Sequence, residues 1–156
     1  MKKIDIISEG VSYKAINIGD FEELPEHSFL HPKLGTKVIG KVFVGEAINS
    51  SATEISFQSL PPKSEIPFLH KHKNHEEIYV CIKGKGQFQV DGDCFDVKEG
   101  SVVRIAPQGI RTWRNNSDNP LIIMCIQAQQ GSLDCNYIFD GFRVMTILIG
   151  RSNTHG

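Results

Sequence analysis

From residue 50 onward, apolar and polar positions alternate in short runs broken by turn residues. "EISFQSL" (54–60), "EIYVCIK" (77–83), "QFQV" (87–90), "CFDV" (94–97), "SVVRI" (101–105), "IRTWR" (110–114) and "LIIMCIQA" (121–128) are rich in Ile, Val, Phe and Tyr. Glycine and proline punctuate them at "PPK" (61–63), "GKG" (84–86), "DGD" (91–93), "EG" (99–100), "PQG" (107–109) and "NNSDNP" (115–120). Strands spaced about 8 to 12 residues apart and separated by turn chemistry predict an antiparallel sandwich or barrel. Asp91-Gly92 is the strongest hairpin signal, because a type I′ turn needs positive φ at both central residues. No long segment carries an apolar period of 3.6, so helices contribute little. "GDFEELPEHSFLH" (19–31) admits one helical turn before Pro25 and no more. "TKVIGKVFVGEAI" (36–48) and "FRVMTILIG" (142–150) read as long strands that close or extend the sheets, or form a contact between two copies. The expected fold class is all-β.

Composition narrows the class of protein. At 156 residues, one domain with a sizeable core is expected. A net charge of -1 gives no global attraction to nucleic acid or to an acidic membrane surface. The start of the chain lacks the apolar stretch of a signal peptide, and no run reaches the length of a membrane helix. A cytoplasmic protein is the expectation. Cys81, Cys94, Cys125 and Cys135 form no CxxC pair, so disulfides are not expected and all four read as structural filler.

Chemistry concentrates in "PFLHKHKNHEEIYVCIKGKG" (67–86), which holds three of the six histidines within six residues. On a strand, His70 and His72 point to one face, with Cα atoms about 6.7 Å apart. Lys71 and Lys73 point to the other. After the "KNH" turn, a glutamate at the start of the next strand can swing over the imidazoles. Two imidazoles and one carboxylate suit a divalent transition metal (Fe, Mn, Ni, Co or Zn) with coordination positions left open. Tyr79 and Cys81 share the parity of Glu77 and should line the same face. There Tyr79 either donates to a bound ligand or packs as a cross-strand aromatic. His75 reads as a turn residue able to stand in as a ligand, and Glu76 is the alternative carboxylate.

His70-x-His72-x4-Glu77-x6-Gly84 resembles the first motif of the cupin superfamily, H-x-H-x(3,4)-E-x(6)-G. "GSVVRIAPQGIRTWRNN" (100–116) echoes the second, G-x(5)-P-x-G-x(2)-H-x(3)-N. Gly100, Pro107, Gly109 and Asn116 fit, with one extra residue between Gly100 and Pro107. The resemblance implies a double-stranded β-helix, a jelly-roll barrel with its core at about 40–130 and flanking strands in 1–39 and 131–156. It carries His70, His72 and Glu77 over as metal ligands. The x6 spacing to Gly84 selects Glu77 over Glu76. The second motif's histidine falls on Thr112, a hydroxyl in place of the fourth ligand. With Thr112 inward, Arg114 points inward too, suited to a carboxylate or phosphate on a ligand or, equally, to pairing with a core carboxylate. Arg111 and Trp113 then point away, Trp113 against another sheet or a second subunit.

Three functions follow as expectations. The first is a metal-supported pocket for a small polar or anionic compound, its reaction unassigned and no catalytic residue fixed. The second is a metal-free sugar or sugar-nucleotide isomerase, in which the paired histidines move protons as in the similar ketoisomerase cupins. The third is a non-enzymatic ligand sensor. Homodimers are common in the family, and a homodimer is the expected state.

Overall fold

The structure, a computed structural model, describes residues 1–146 and 148–150. Among the described residues, thirteen strands run β1 (Asp5–Glu9), β2 (Lys14–Asn17), β3 (Ser28–Leu30), β4 (Lys37–Ile39), β5 (Lys41–Phe43), β6 (Thr53–Leu60), β7 (Ser64–Glu65), β8 (His75–Lys83), β9 (Lys85–Val90), β10 (Asp93–Lys98), β11 (Val102–Ile105), β12 (Arg111–Asn115) and β13 (Leu121–Gln129). They form a five-stranded sheet in the order β11-β8-β13-β6-β5, a four-stranded sheet β10-β9-β12-β7, and two hairpins, β1-β2 and β3-β4. Every pairing is antiparallel. The fold is all-β, a jelly roll whose two larger sheets enclose the core.

Period-two alternation decides what lies inside. Along β8, Glu77, Tyr79 and Cys81 are buried while Ile78, Val80 and Ile82 are partly exposed. Register carries that face sideways: Tyr79 sits opposite Cys125, and Cys125 opposite Ser56. The inner core gathers Tyr79, Cys81, Phe88, Trp113, Ile123 and Cys125 with their neighbours. Tyr79 lies 5.1 Å from both Phe88 and Trp113, and Phe88 stacks on Trp113 at 5.6 Å, centroid to centroid. Aromatic packing of this kind adds to simple area burial.

The opposite face of the five-stranded sheet is apolar as well, and the N-terminal segment covers it. Leu24, Val42, Val44 and Ile122 form a second core with Ile16, Phe21 and Phe57 packed against it. Leu24 belongs to a 3-10 turn at Phe21–Glu26 that contains Pro25, where "GDFEELPEHSFLH" predicted a helical turn. The expected hairpin at Asp91-Gly92 joins β9 to β10, with φ of 50° and 90° at the two residues.

Two long strands predicted at the flanks are corrected. Residues 36–48 divide into β4 and β5 because Gly40 adopts φ of 84°, a conformation cheap only for glycine. A Cβ there would stand 2.8 Å from the carbonyl oxygen of Ser59. At 142–150, no described residue belongs to a strand, and the described apolar side chains there are exposed; position 147 lies outside the described residues. Cysteine as uniform filler also fails. All four thiols are free, but only Cys81 and Cys125 are buried, whereas Cys94 and Cys135 are exposed. No helix among the described residues is long and apolar enough to cross a membrane.

Candidate metal centre

His70 and His72 lie not on a regular strand but on an extended segment tied to the barrel by backbone bonds. The His70 N–H donates to Arg111 O and the Arg111 N–H to His70 O, both at 3.0 Å, and the His72 N–H donates to Pro107 O at 3.0 Å. The extended backbone keeps the two-residue spacing on one face, as the sequence predicted. Glu77 enters from β8 opposite Ile105 and Gln127. Seven residues on, Gly84 turns the chain with φ of 87° against the backbone of Pro120 and Leu121. That contact fixes the register that holds Glu77 inward.

Donor atoms of His70, His72 and Glu77 all lie within 4.8 Å of one another. From Glu77 Oε1, His72 Nε2 stands at 2.9 Å and His70 Nε2 at 3.6 Å. Ligand bonds near 2.1 Å at tetrahedral to octahedral angles place donors about 3.0–3.4 Å apart, so these separations suit a shared ion. The His72 contact is not an aligned hydrogen bond, and His72 Nε2 and His70 Nδ1 are buried without any hydrogen-bond partner. His72 Nε2, the nitrogen that faces Glu77, is in that state available as a ligand. The three residues fit a metal ion. Each imidazole keeps about a quarter of its surface exposed, 27% and 26%, while Glu77 keeps 5%. The site therefore opens at the histidine side.

Glu77 is nevertheless already well served. Its Oε1 accepts from the Tyr79 hydroxyl at 2.6 Å and from Arg111 Nη2 at 2.9 Å, and its Oε2 faces Cys125 Sγ at 3.1 Å. Burial works to raise its carboxyl, but the contacts of His70, His72, Tyr79 and Cys125 hold it well below the usual range. The same surroundings push the Tyr79 phenol and the Cys125 thiol up, through burial first and the Glu77 charge second. Tyr79 thus both orients Glu77 and packs in the core.

The fourth position differs from expectation. Thr112 does not face the site: it is half-buried and its hydroxyl donates to Ile66 O at 2.9 Å. Arg114 is exposed and bonds Gln87 Oε1 through Nε and Nη2. Arg111 and Trp113 point inward instead, 0% and 5% exposed. The cause is register. Trp113 pairs with Phe88 and Arg111 with Val90, and burying the indole outweighs any count along a motif. The buried asparagine is likewise Asn115, not Asn116; its amide bonds the carbonyls of Leu60, Pro61 and Asn119. The segment after Gly109 runs one residue shorter than the motif, so Arg111 takes the place assigned to Thr112. Its Nη1 donates to Gly109 O at 2.6 Å.

Other residues fall as follows. Glu76 turns outward to Arg104 at 2.7 Å. His75 is exposed and meets Gln127 Oε1 at 3.2 Å, outside the donor cluster. Lys41 is a further cation on the inner side. Its register partner is Gln58, itself buried. Burial presses its ammonium down from the usual lysine range, against the opposing effect of Cys125 and Glu77. The barrel interior below the site, between Tyr79, Cys81, Phe88, Val97, Val103 and Ile123, has no room for a water molecule. A groove of about 730 Å³ opens beside the β8–β9 turn, lined by Lys63, Lys85, Lys98, Asp96 and Asp118 among others. It shares no residue with the histidine site, and its charges are mixed and solvated.

Residues 56–127 match the Cupin domain family. A cupin protein from Bacteroides fragilis, known from its crystal structure, is 35% identical, with a TM-score of 0.64 over 67% of this chain and 89% of that one. The chain belongs to the cupin superfamily. An oxalate-binding protein from Thermotoga maritima is 37% identical over 57 residues, 36% of this chain and 46% of that protein. An uncharacterized protein of Methanocaldococcus jannaschii is 34% identical over 68 residues, 44% of this chain and 54% of that protein. This cupin thus spans about half the length of the curated relatives it matches. The crystal structure of a predicted oxalate decarboxylase from Thermotoga maritima shares the fold at 23% identity, with a TM-score of 0.54 over 66% of this chain and 90% of that one.

Proposed function

We propose that this cupin binds a small carboxylate compound at a divalent transition-metal ion held by His70, His72 and Glu77. The observation that carries the reading is the convergence of three donors within 4.8 Å, with both imidazoles about a quarter exposed above an interior too tight for water. Arg111 and Lys41 bring positive charge to the same inner face, which favours an anion. The likeness to an oxalate-binding protein over part of the chain points to the same chemical class. The interior beneath Glu77 has no room for a ligand, so the ligand approaches from the histidine side. When bound, the ion supplies Lewis acidity toward a carboxylate or carbonyl oxygen. Tyr79 and Cys125 hold Glu77 in place, and the Pro107 carbonyl fixes the backbone of His72.

One observation favours a second reading. Arg111 already neutralises Glu77 at 2.9 Å, so the pocket is coherent without metal, and the histidines then contact the ligand directly, as acid or base in an isomerase or as binding groups in a sensor. Metal analysis combined with calorimetry separates the readings. Under the first, untagged protein takes up one equivalent of Mn, Fe, Co, Ni or Zn, and His72→Ala abolishes uptake. Under the second, oxalate or a sugar phosphate binds equally well in the presence of a strong chelator. Ligand binding that ignores chelation overturns the metal-supported site.

A further inference from the structure

The metal reading leaves a charge imbalance at the barrel mouth. Glu77 is the one carboxylate among the donors of the cluster. Arg111, 0% exposed, cancels its charge at 2.9 Å. A divalent ion placed on the Glu77 oxygen therefore adds two positive charges next to a permanent one. Where a histidine fills the fourth position, the ligand set carries one negative charge toward the ion. Here that set carries none. An unpaired buried charge is strongly disfavoured.

A second, independent observation points the same way. Among the described residues, the buried side-chain nitrogens and oxygens that lack a hydrogen-bond partner are His70 Nδ1, His72 Nε2, Arg111 Nε and Trp113 Nε1. All four belong to this neighbourhood: His70 lies 5.5 Å from His72 and 5.9 Å from Trp113, ring centre to ring centre. The guanidinium Nε and the indole nitrogen act only as donors. Buried donors without acceptors are rare in folded proteins and call for a partner, be it a water, an ion or a ligand. Here the missing partner is an acceptor, and the missing charge is negative.

We infer that Arg111 makes metal and anion binding interdependent in this cupin, so that a divalent cation and a small carboxylate enter as a neutralising pair and each binds weakly alone. This inference rests on the metal-supported reading above. Arg111 is here a positioning and charge-setting residue, not a ligand. By linkage, the factor by which the anion tightens the metal equals the factor by which the metal tightens the anion.

Mn²⁺ titrated calorimetrically into the full chain tests this, with and without saturating oxalate and with correction for the complex oxalate forms with free Mn²⁺. Oxalate should tighten Mn²⁺ by about tenfold or more, within the usual span of site-to-site coupling. Arg111→Gln should tighten Mn²⁺ in the absence of oxalate by a similar factor and shrink the oxalate effect to about threefold or less. Arg111→Lys keeps the charge and should keep the wild-type order of affinities. The wild-type coupling requires no variant, so the inference stays testable even if Arg111→Gln misfolds. Mn²⁺ binding that is tight without oxalate and unchanged by Arg111→Gln or Arg111→Lys overturns the interdependence and leaves the metal site standing. Absence of stoichiometric Mn²⁺ binding in every form, oxalate included, overturns both.

Discussion

Arg111 and Glu77 form an ion pair sealed from solvent, Nη2 to Oε1 at 2.9 Å, with side-chain exposures of 0% and 5%. Such a pair gives little net stability, but losing one member strands the other. Arg111→Met should lower the unfolding free energy in metal-free buffer by about 3–5 kcal/mol. The double variant Arg111→Met with Glu77→Leu should recover most of that loss. Urea titrations followed by Trp113 fluorescence give both values. A loss below about 1 kcal/mol for the single change would place the pair in contact with water.

Much of this architecture is legible in the residues, because a half-buried strand writes its period directly. "EIYVCIK" states which side of β8 faces inward, and Glu77, Tyr79 and Cys81 lie where parity puts them. His70 and His72 keep their shared face even without a regular strand. Reading fails at β12 because a motif count competed with a hydrophobic signal. Trp113 is the only tryptophan and sits within a strand pattern, and a large apolar ring two positions from Arg111 should have drawn both inward. Lys41 and Cys125 were hidden for a different reason. Their importance arises from cross-strand neighbours more than fifteen residues away along the chain, which no local pattern encodes.

The relation between Arg111 and Thr112 gives the next test. Thr112 spends its hydroxyl on Ile66 O and faces away from the cluster, so an imidazole there would not join the three donors. Thr112→His should leave Mn²⁺ affinity within about twofold of wild type. Arg111→His puts a ligand where the guanidinium stands and should tighten Mn²⁺ by about tenfold or more, through one added metal–nitrogen bond. Calorimetric titration of the two proteins decides. The reverse ranking would restore the longer spacing after Gly109.

Thiol accessibility follows from the same inner and outer faces. Cys94 and Cys135 are exposed, whereas Cys81 and Cys125 are buried. Burial also pushes the Cys81 and Cys125 thiols above their usual range, which suppresses the reactive thiolate. Titration of native protein with Ellman's reagent should release two equivalents quickly and the remaining two only in denaturant. Mass spectrometry of the labelled protein should assign the fast pair to Cys94 and Cys135. Rapid labelling of Cys125 would mean that the Glu77 side of the site opens to solvent.

Glu77 sets how the fold responds to acid. Its carboxyl is held below the 4.5 of an unperturbed glutamate, burial being outweighed by His70, His72, Tyr79 and Cys125. Below 4.5 the unfolded chain therefore takes up a proton that the folded one resists, and stability falls with pH. The contribution is complete above that value and is lost as pH drops toward the folded-state value. Glu77→Gln has no such group, so its stability should change less between about pH 6 and pH 3. The wild-type advantage over Glu77→Gln should thus be largest near neutrality and shrink steadily on acidification. Urea midpoints in chelator-treated buffer at several pH values measure it. Parallel curves for the two proteins across that range would show that the carboxyl is not stabilised by its neighbours.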